Sequence, residues 1–156
     1  MLYCFKMNIT VQSENEMKQF GERLGRLLRG GETIELIGDV GAGKTTLTKG
    51  IAKGLGVDED VQSPSFTISR IYDGRDGLQL AHYDFYRLDD AGIMADELSE
   101  VLDDHATVTI IEWAGIVEGV LPADRLSLKI TSPTEHARDI AVIASGEISK
   151  TIEAKL

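Results

Sequence analysis

Eight consecutive residues, Gly38-Asp39-Val40-Gly41-Ala42-Gly43-Lys44-Thr45, satisfy the pattern G-x-x-x-x-G-K-[ST] at every fixed position. The residue types answer a physical need. Glycines let successive backbone N–H groups turn inward as an anion nest, and the positive end of a following helix adds to it. Lys44 supplies a cation for the β- and γ-phosphates, and the Thr45 hydroxyl is placed to ligate Mg²⁺. The pattern requires a strand before it and a helix after it. Thr33-Ile34-Glu35-Leu36-Ile37 reads as that strand, and Leu47, Ile51 and Leu55 at spacing four read as that helix. This specifies a nucleoside triphosphate site but neither the base nor the reaction.

Such a site calls for a carboxylate at the end of a neighbouring buried strand, holding the metal directly or through water. Thr107-Val108-Thr109-Ile110-Ile111-Glu112 is a near-continuous apolar run that ends in one, so Glu112 is the candidate. Trp113 beside it reads as packing rather than nucleotide stacking. A second polar group lies in His82-Tyr83-Asp84-Phe85-Tyr86-Arg87-Leu88. Strand alternation puts His82 and Asp84 on one face, ~6.6 Å apart along the chain. Their types suit positioning a water or a metal-bound ligand, and equally suit a satisfied buried histidine beside a surface aspartate. Residue chemistry leaves that choice open. Ser63-Pro64-Ser65-Phe66-Thr67 is either a γ-phosphate-sensing segment or an ordinary loop.

The elements that must position these groups read as α/β. Residues 8–11 form a short first strand; Ser13-Glu14-Asn15-Glu16 has capping-box spacing; Met17, Phe20, Leu24, Leu27 and Leu28 make one apolar stripe on a helix ending at Gly30-Gly31. Residues 66–72 and 78–85 read as strands about a turn-rich Asp73-Gly74-Arg75-Asp76-Gly77, and residues 89–102 as helical. Residues 126–130 and 140–144 suggest a late strand pair, and Ile148, Ile152 and Leu156 a closing helix. The expectation is one domain over residues 1–156, with a mixed, mainly parallel central sheet flanked by helices.

Composition narrows the partners. The 156 residues hold 16 Lys+Arg and 26 Asp+Glu, a formal net charge of -10. That balance makes the chain a poor candidate for gripping a nucleic-acid backbone unaided, because phosphate binding needs a basic footprint. The single cysteine, Cys4, has no internal partner, which fits a reducing compartment. No run approaches the ~18 apolar residues of a membrane span, and residues 1–5 are too short for a signal-peptide core. A cytoplasmic protein is expected.

Taken in order, Gly38 to Thr46, then Ser63 to Thr67, then His82-x-Asp84-x-Tyr86-Arg87-Leu88, then Ile111-Glu112-Trp113 resemble the TsaE (YjeE) family over nearly the whole chain. That family is the small bacterial P-loop ATPase of tRNA threonylcarbamoyladenosine synthesis. The phosphate loop is widely shared; the three later blocks make the match specific. The resemblance implies that Gly41, Ala42, Gly43, Lys44, Thr45 and Thr46 wrap the phosphates of ATP. It implies that Thr45 and Glu112 hold Mg²⁺ and that Asp84 is needed for hydrolysis. It also implies work beside the TsaD–TsaB pair, with tRNA met only through that complex. Ser13 and Arg138 match the places where the family meets the base, although Ser13 is also accounted for as a helix cap. Ser65 stands where the family usually has Thr, and residues 91–102 follow the pattern loosely. Weak turnover in isolation is expected, since Arg70, Arg87 and Arg138 are only candidates for an arginine finger. The rival readings are a small-molecule or nucleotide kinase, and a nucleotide-gated binding module without useful catalysis. No basic insertion that would serve a kinase as a lid follows the phosphate-loop helix.

Overall fold

Burial along the full length of residues 107–112 puts that strand in the middle of a sheet, and the other elements arrange themselves about it. The computed structural model describes residues 6–156; Cys4 and the rest of residues 1–5 lie outside the described residues. In chain order the elements are β1 (Lys6–Val11), α1 (Glu14–Leu27), β2 (Thr33–Ile37), α2 (Lys44–Gly54), β3 (Ser69–Asp73), β4 (Gln79–Asp84), α3 (Ile93–Leu102), β5 (Thr107–Glu112), β6 (Leu126–Thr131), β7 (Arg138–Ala144) and α4 (Glu147–Glu153). Short 3₁₀ helices fill Arg75–Gly77 and Ala114–Val120. The sheet order is β1-β7-β6-β2-β5-β4-β3. Strands β6, β2, β5 and β4 are parallel neighbours, and antiparallel pairs close both edges. The mixed sheet flanked by helices is as expected.

Several boundaries differ from the expectation. The first hairpin strand begins at Ser69 rather than residue 66, because the Ile68 N–H donates to the Pro64 carbonyl (2.6 Å) and Ile68 takes φ 69°. A β-branched residue in that left-handed region cannot continue a strand. The helix expected over 89–102 starts at Ile93, after Gly92 at φ 53° breaks the chain direction. The first helix stops at Leu27, short of the glycine pair.

Strand alternation sorts the core into two layers. Leu80, Val108, Ile110, Ile34 and Leu36 face α1 and α2; Ala81, Tyr83 and Ile111 face α3 and the second 3₁₀ helix. On that second side, burial and the neighbouring Glu97 carboxylate push the Tyr83 phenol above its usual range. Asp124 anchors α4 by accepting from the N–H groups of Ile148 (2.9 Å) and Ser149 (3.1 Å). Burial acts to raise its carboxyl, but the Ser149 side chain, those two N–H groups and the Lys150 charge outweigh it and hold the group below the ordinary carboxylate range.

The contact between α1 and α2 is a backbone contact. Gly21 and Gly25 on α1 meet Gly50 and Gly54 on α2, two glycine pairs each spaced by four. A Cβ at Gly21 would lie 2.6 Å from the Leu47 carbonyl oxygen, and one at Gly25 would overlap the Ile51 carbonyl. Arg75 closes the far end of this pair. Its guanidinium donates to the carbonyls of Gly54 (2.5 Å) and Leu28 (2.7 Å), at the C-terminal ends of α2 and α1.

Gly25→Ala should therefore force the helices apart and cost about 1–3 kcal/mol, as overpacking does. At ~2–4 °C per kcal/mol for a chain of this size, the melting temperature should fall by several degrees. Gly115→Ala, where an added Cβ meets nothing within 4 Å, should change it little. Equal melting temperatures for the two variants would show that the helices tolerate separation.

Candidate functional site

The loop between β2 and α2 takes a shape that only glycine accepts at two places. Gly41 has φ 83° and Gly43 φ 110°, and Gly43 occupies the N-cap of α2 with no side-chain bond to the helix end. The amide groups that begin α2 are thus left to an external acceptor, with the helix dipole behind them. Gly38 lies tight beneath the loop, where a Cβ would come 3.0 Å from both Ala42 Cβ and the Ile130 carbonyl oxygen. Lys44 is buried. Its ammonium donates to the carbonyls of Gly38 and Asp39 and stands 4.5 Å from the centroid of the Trp113 ring.

A cavity of about 680 Å³ opens over this loop. Its walls include Ser13, Gly41, Gly43, Lys44, Thr45, Thr46, Asp84 and Glu112. Of the residues expected to hold ATP and Mg²⁺ or to act in hydrolysis, all but Ala42 line it, whereas the candidates His82 and Arg70 do not; Ala42 is buried beneath and offers its carbonyl to Arg138. The cavity sits outside the carboxyl ends of the parallel strands, where open α/β sheets place ligands.

Parallel pairing sets Asp84 directly beside Glu112 at the ends of β4 and β5. Both are buried, at 6% and 3% exposure, which is costly for carboxylates. Asp84 accepts from the Tyr86 N–H (3.0 Å) and the Ser65 hydroxyl (3.2 Å), and Ser65 lies 2.7 Å from the Ser63 hydroxyl. The Ser63–Ser65 loop is therefore wired to the Asp84 carboxylate. Glu112 instead meets His82, whose Nε2 is 2.6 Å from Oε2. Of the alternative left open in sequence, the surface aspartate falls away: His82 and Asp84 are both buried on one face of β4.

The group a divalent cation would need is present without a dedicated metal cage. Among the described residues no three His, Cys, Asp or Glu converge on one point. A cation arriving with a nucleotide needs fewer protein ligands, since phosphate oxygens and waters complete its shell. Two buried carboxylates and Thr45, lining one cavity, fit that arrangement.

Further groups surround the mouth. Trp113 has φ 56°, a left-handed conformation that turns its indole over Lys44 and against Tyr86, at 4.8 Å between ring centroids. Trp113 thus walls the cavity rather than filling the core. Arg138 donates Nε to the Ala42 carbonyl (3.0 Å) and Nη1 to the carbonyls of Glu135 (2.9 Å) and Ala137 (2.8 Å), tying the β6–β7 turn to the phosphate loop. Arg87 stacks on the exposed Phe66 ring at 4.5 Å. Ser13 caps α1, accepting from the Glu16 N–H (3.1 Å), while it also borders the cavity.

Comparison with known proteins agrees with this architecture. The profile of the family "Threonylcarbamoyl adenosine biosynthesis protein TsaE" matches residues 11–140. A tRNA threonylcarbamoyladenosine biosynthesis protein TsaE from Streptomyces coelicolor is 39% identical over 137 residues, 84% of this chain and 92% of that protein. Its counterpart from Bacillus subtilis is 39% identical over 141 residues, 88% of this chain and 84% of the relative. The crystal structure of YdiB from Bacillus subtilis superposes with a TM-score of 0.82 at 31% identity, covering 99% of this chain and 96% of that one. The phosphate loop, the paired strand-end carboxylates and this likeness along the chain agree: the protein belongs to the TsaE family.

Proposed function

We propose that the chain is a Mg²⁺-dependent ATPase that supports threonylcarbamoyl transfer to adenosine of tRNA, acting with a TsaD–TsaB complex in the cytoplasm. The observation that carries this reading is the meeting of three things in one cavity: the glycine-shaped anion nest, the Lys44 ammonium, and the side-by-side carboxylates Asp84 and Glu112. The names of the relatives supply the pathway. The chain's net charge of -10 supports an indirect role at tRNA, through partners that carry the basic surface.

In this reading Gly41 to Thr46 hold the phosphates of ATP, and Thr45 and Glu112 hold the metal. Bound Mg²⁺ would neutralise charge on the phosphate oxygens as the terminal P–O bond breaks. Lys44 leaves the Gly38 and Asp39 carbonyls for the β- and γ-phosphate oxygens, where its charge stabilises the departing ADP. Asp84 orients a water toward the γ-phosphorus and takes up its proton, leaving ADP and inorganic phosphate. The Tyr86 N–H and the Ser65 hydroxyl hold that carboxylate in place, and Ser65 couples it to the 63–67 loop.

Turnover tests the reading directly. ADP release from Mg-ATP should be slow for the isolated protein, change when the TsaD–TsaB pair and tRNA are added, and fall about 10²-fold or more with Asp84→Ala. A phosphorylated acceptor appearing in the products by mass would make the protein a kinase instead. Undiminished pathway output with Asp84→Ala would make it a binding module.

Trp113, the single tryptophan, gives an optical check on the loop. Phosphates drawing Lys44 from beneath the indole remove a cation–π contact, so Trp113 fluorescence should change along a saturable curve as Mg-ATP is added. A flat signal at ATP concentrations shown by calorimetry to saturate the site would mean that Lys44 stays under the ring.

A further inference from the structure

We infer that His82 is a positioning residue for the cation site: it fixes the Glu112 carboxylate in the orientation that metal binding requires. The inference deepens the proposed function and rests on Glu112 being the metal-side carboxylate.

The geometry carries it. His82 is wholly buried, lies two residues before Asp84 on the same face of β4, and pairs in register with Ile110 rather than Glu112. Glu112 is in register with Asp84. Its carboxylate nevertheless makes its hydrogen bond diagonally, back along the neighbouring strand, to His82 Nε2 at 2.6 Å. With the ring proton on Nε2 the imidazole donates to Oε2, which restrains the carboxylate and leaves Oε1 free of the ring, on a residue that lines the cavity.

A histidine retained only to fill this layer would be poorly chosen. Apart from Asp84 and the exposed Arg70 across the β3–β4 ladder, its neighbours on that face, Leu80, Ile110 and Val108, are apolar, and its second nitrogen, Nδ1, makes no hydrogen bond among the described residues. The ring thus accepts an unpartnered buried nitrogen and keeps one bond, the one to Glu112. Leucine is close in volume and would remove that penalty, so the Glu112 contact is what distinguishes histidine here. Partners behind metal ligands are worth about 10–100-fold in metal affinity in sites of known chemistry.

The test is Mn²⁺ binding to the protein–ADP complex, followed by the electron paramagnetic resonance of free Mn²⁺, with ADP affinity in EDTA and melting temperature measured on the same samples. His82→Leu should weaken Mn²⁺ binding about 10–100-fold and leave metal-free ADP binding unchanged. His82→Gln, whose amide N–H can replace Nε2, should recover most of the loss, whereas the shorter His82→Asn should not. Combined with Glu112→Gln, His82→Leu should add nothing further. Unchanged Mn²⁺ affinity in His82→Leu beside a loss in Glu112→Gln would overturn the inference and leave the Glu112 assignment standing. No loss in Glu112→Gln itself would remove that assignment and this inference with it. Should His82→Leu fail to fold, Gln and Asn variants of equal Mn²⁺ affinity would overturn it in the same way.

Discussion

The direct backbone contact between α1 and α2 is the constraint on which the site's dimensions depend. Two ordinary helices pack ~8–10 Å apart because side chains intervene. Here Gly21, Gly25, Gly50 and Gly54 remove the side chains at the crossing, so the helices touch carbonyl against α-carbon. Met17, one turn before Gly21, is thereby pressed to within 3.2 Å of where a Cβ on Gly43 would lie. The start of α1, with its Ser13 cap, becomes a wall of the cavity above the phosphate loop. Arg75 locks the opposite end of the pair. A looser crossing would widen the cavity and lift Ser13 away from the loop.

Below that helix pair the sheet solves a different problem, that of holding acidic groups in a dry place. Each parallel strand that ends under the phosphate loop delivers its last side chain to one line, so β4 and β5 set Asp84 and Glu112 next to each other. Like charges so close repel, and the protein separates their duties through their hydrogen bonds. Asp84 turns outward to the 63–67 loop and the Tyr86 amide; Glu112 turns inward to His82. The two carboxylates occupy adjacent rungs while belonging to different networks, which suits one to a water and the other to a cation.

How much of this was legible in the sequence follows from how local each feature is. The phosphate loop needs only eight consecutive residues, and Glu112 needs only the buried run before it, so both could be read directly. The hairpin, the late strand pair and the α1 cap were local as well. The glycine crossing was not, because Gly21 and Gly25 mean little until Gly50 and Gly54 are known to face them; the spacing of four in each helix was the available signal. The bond from His82 to Glu112 spans 30 residues and runs across a ladder rather than along a rung, so alternation alone could not pair them. Trp113 does pack, on Tyr86 and over Lys44, but at the wall of the cavity rather than in the core, and nothing local announces that left-handed placement. Residues 66–68 have strand composition, yet the Pro64 carbonyl captures the Ile68 amide first.

The disposition of cations bears on the slow isolated turnover that the proposed function expects. Of the arginines weighed as fingers, Arg70 lies exposed on the edge strand β3 and does not line the cavity. Arg138 lines it, but spends Nε and Nη1 on carbonyls that fasten the β6–β7 turn. Arg87 lines it too, and is held at the rim against Phe66, a ring that is 84% exposed. Within the proposed ATPase, Lys44 is then the cation positioned to follow charge onto the leaving phosphate. A second positive group would come from rearranging Arg87 or from outside. Arg87 lines the cavity while its guanidinium rests on the exposed Phe66 ring, so a partner that covers that ring would also contact the guanidinium. Partner binding and any rearrangement of Arg87 toward the phosphates would in that case be coupled, because the ring a partner would cover and that guanidinium are stacked on each other.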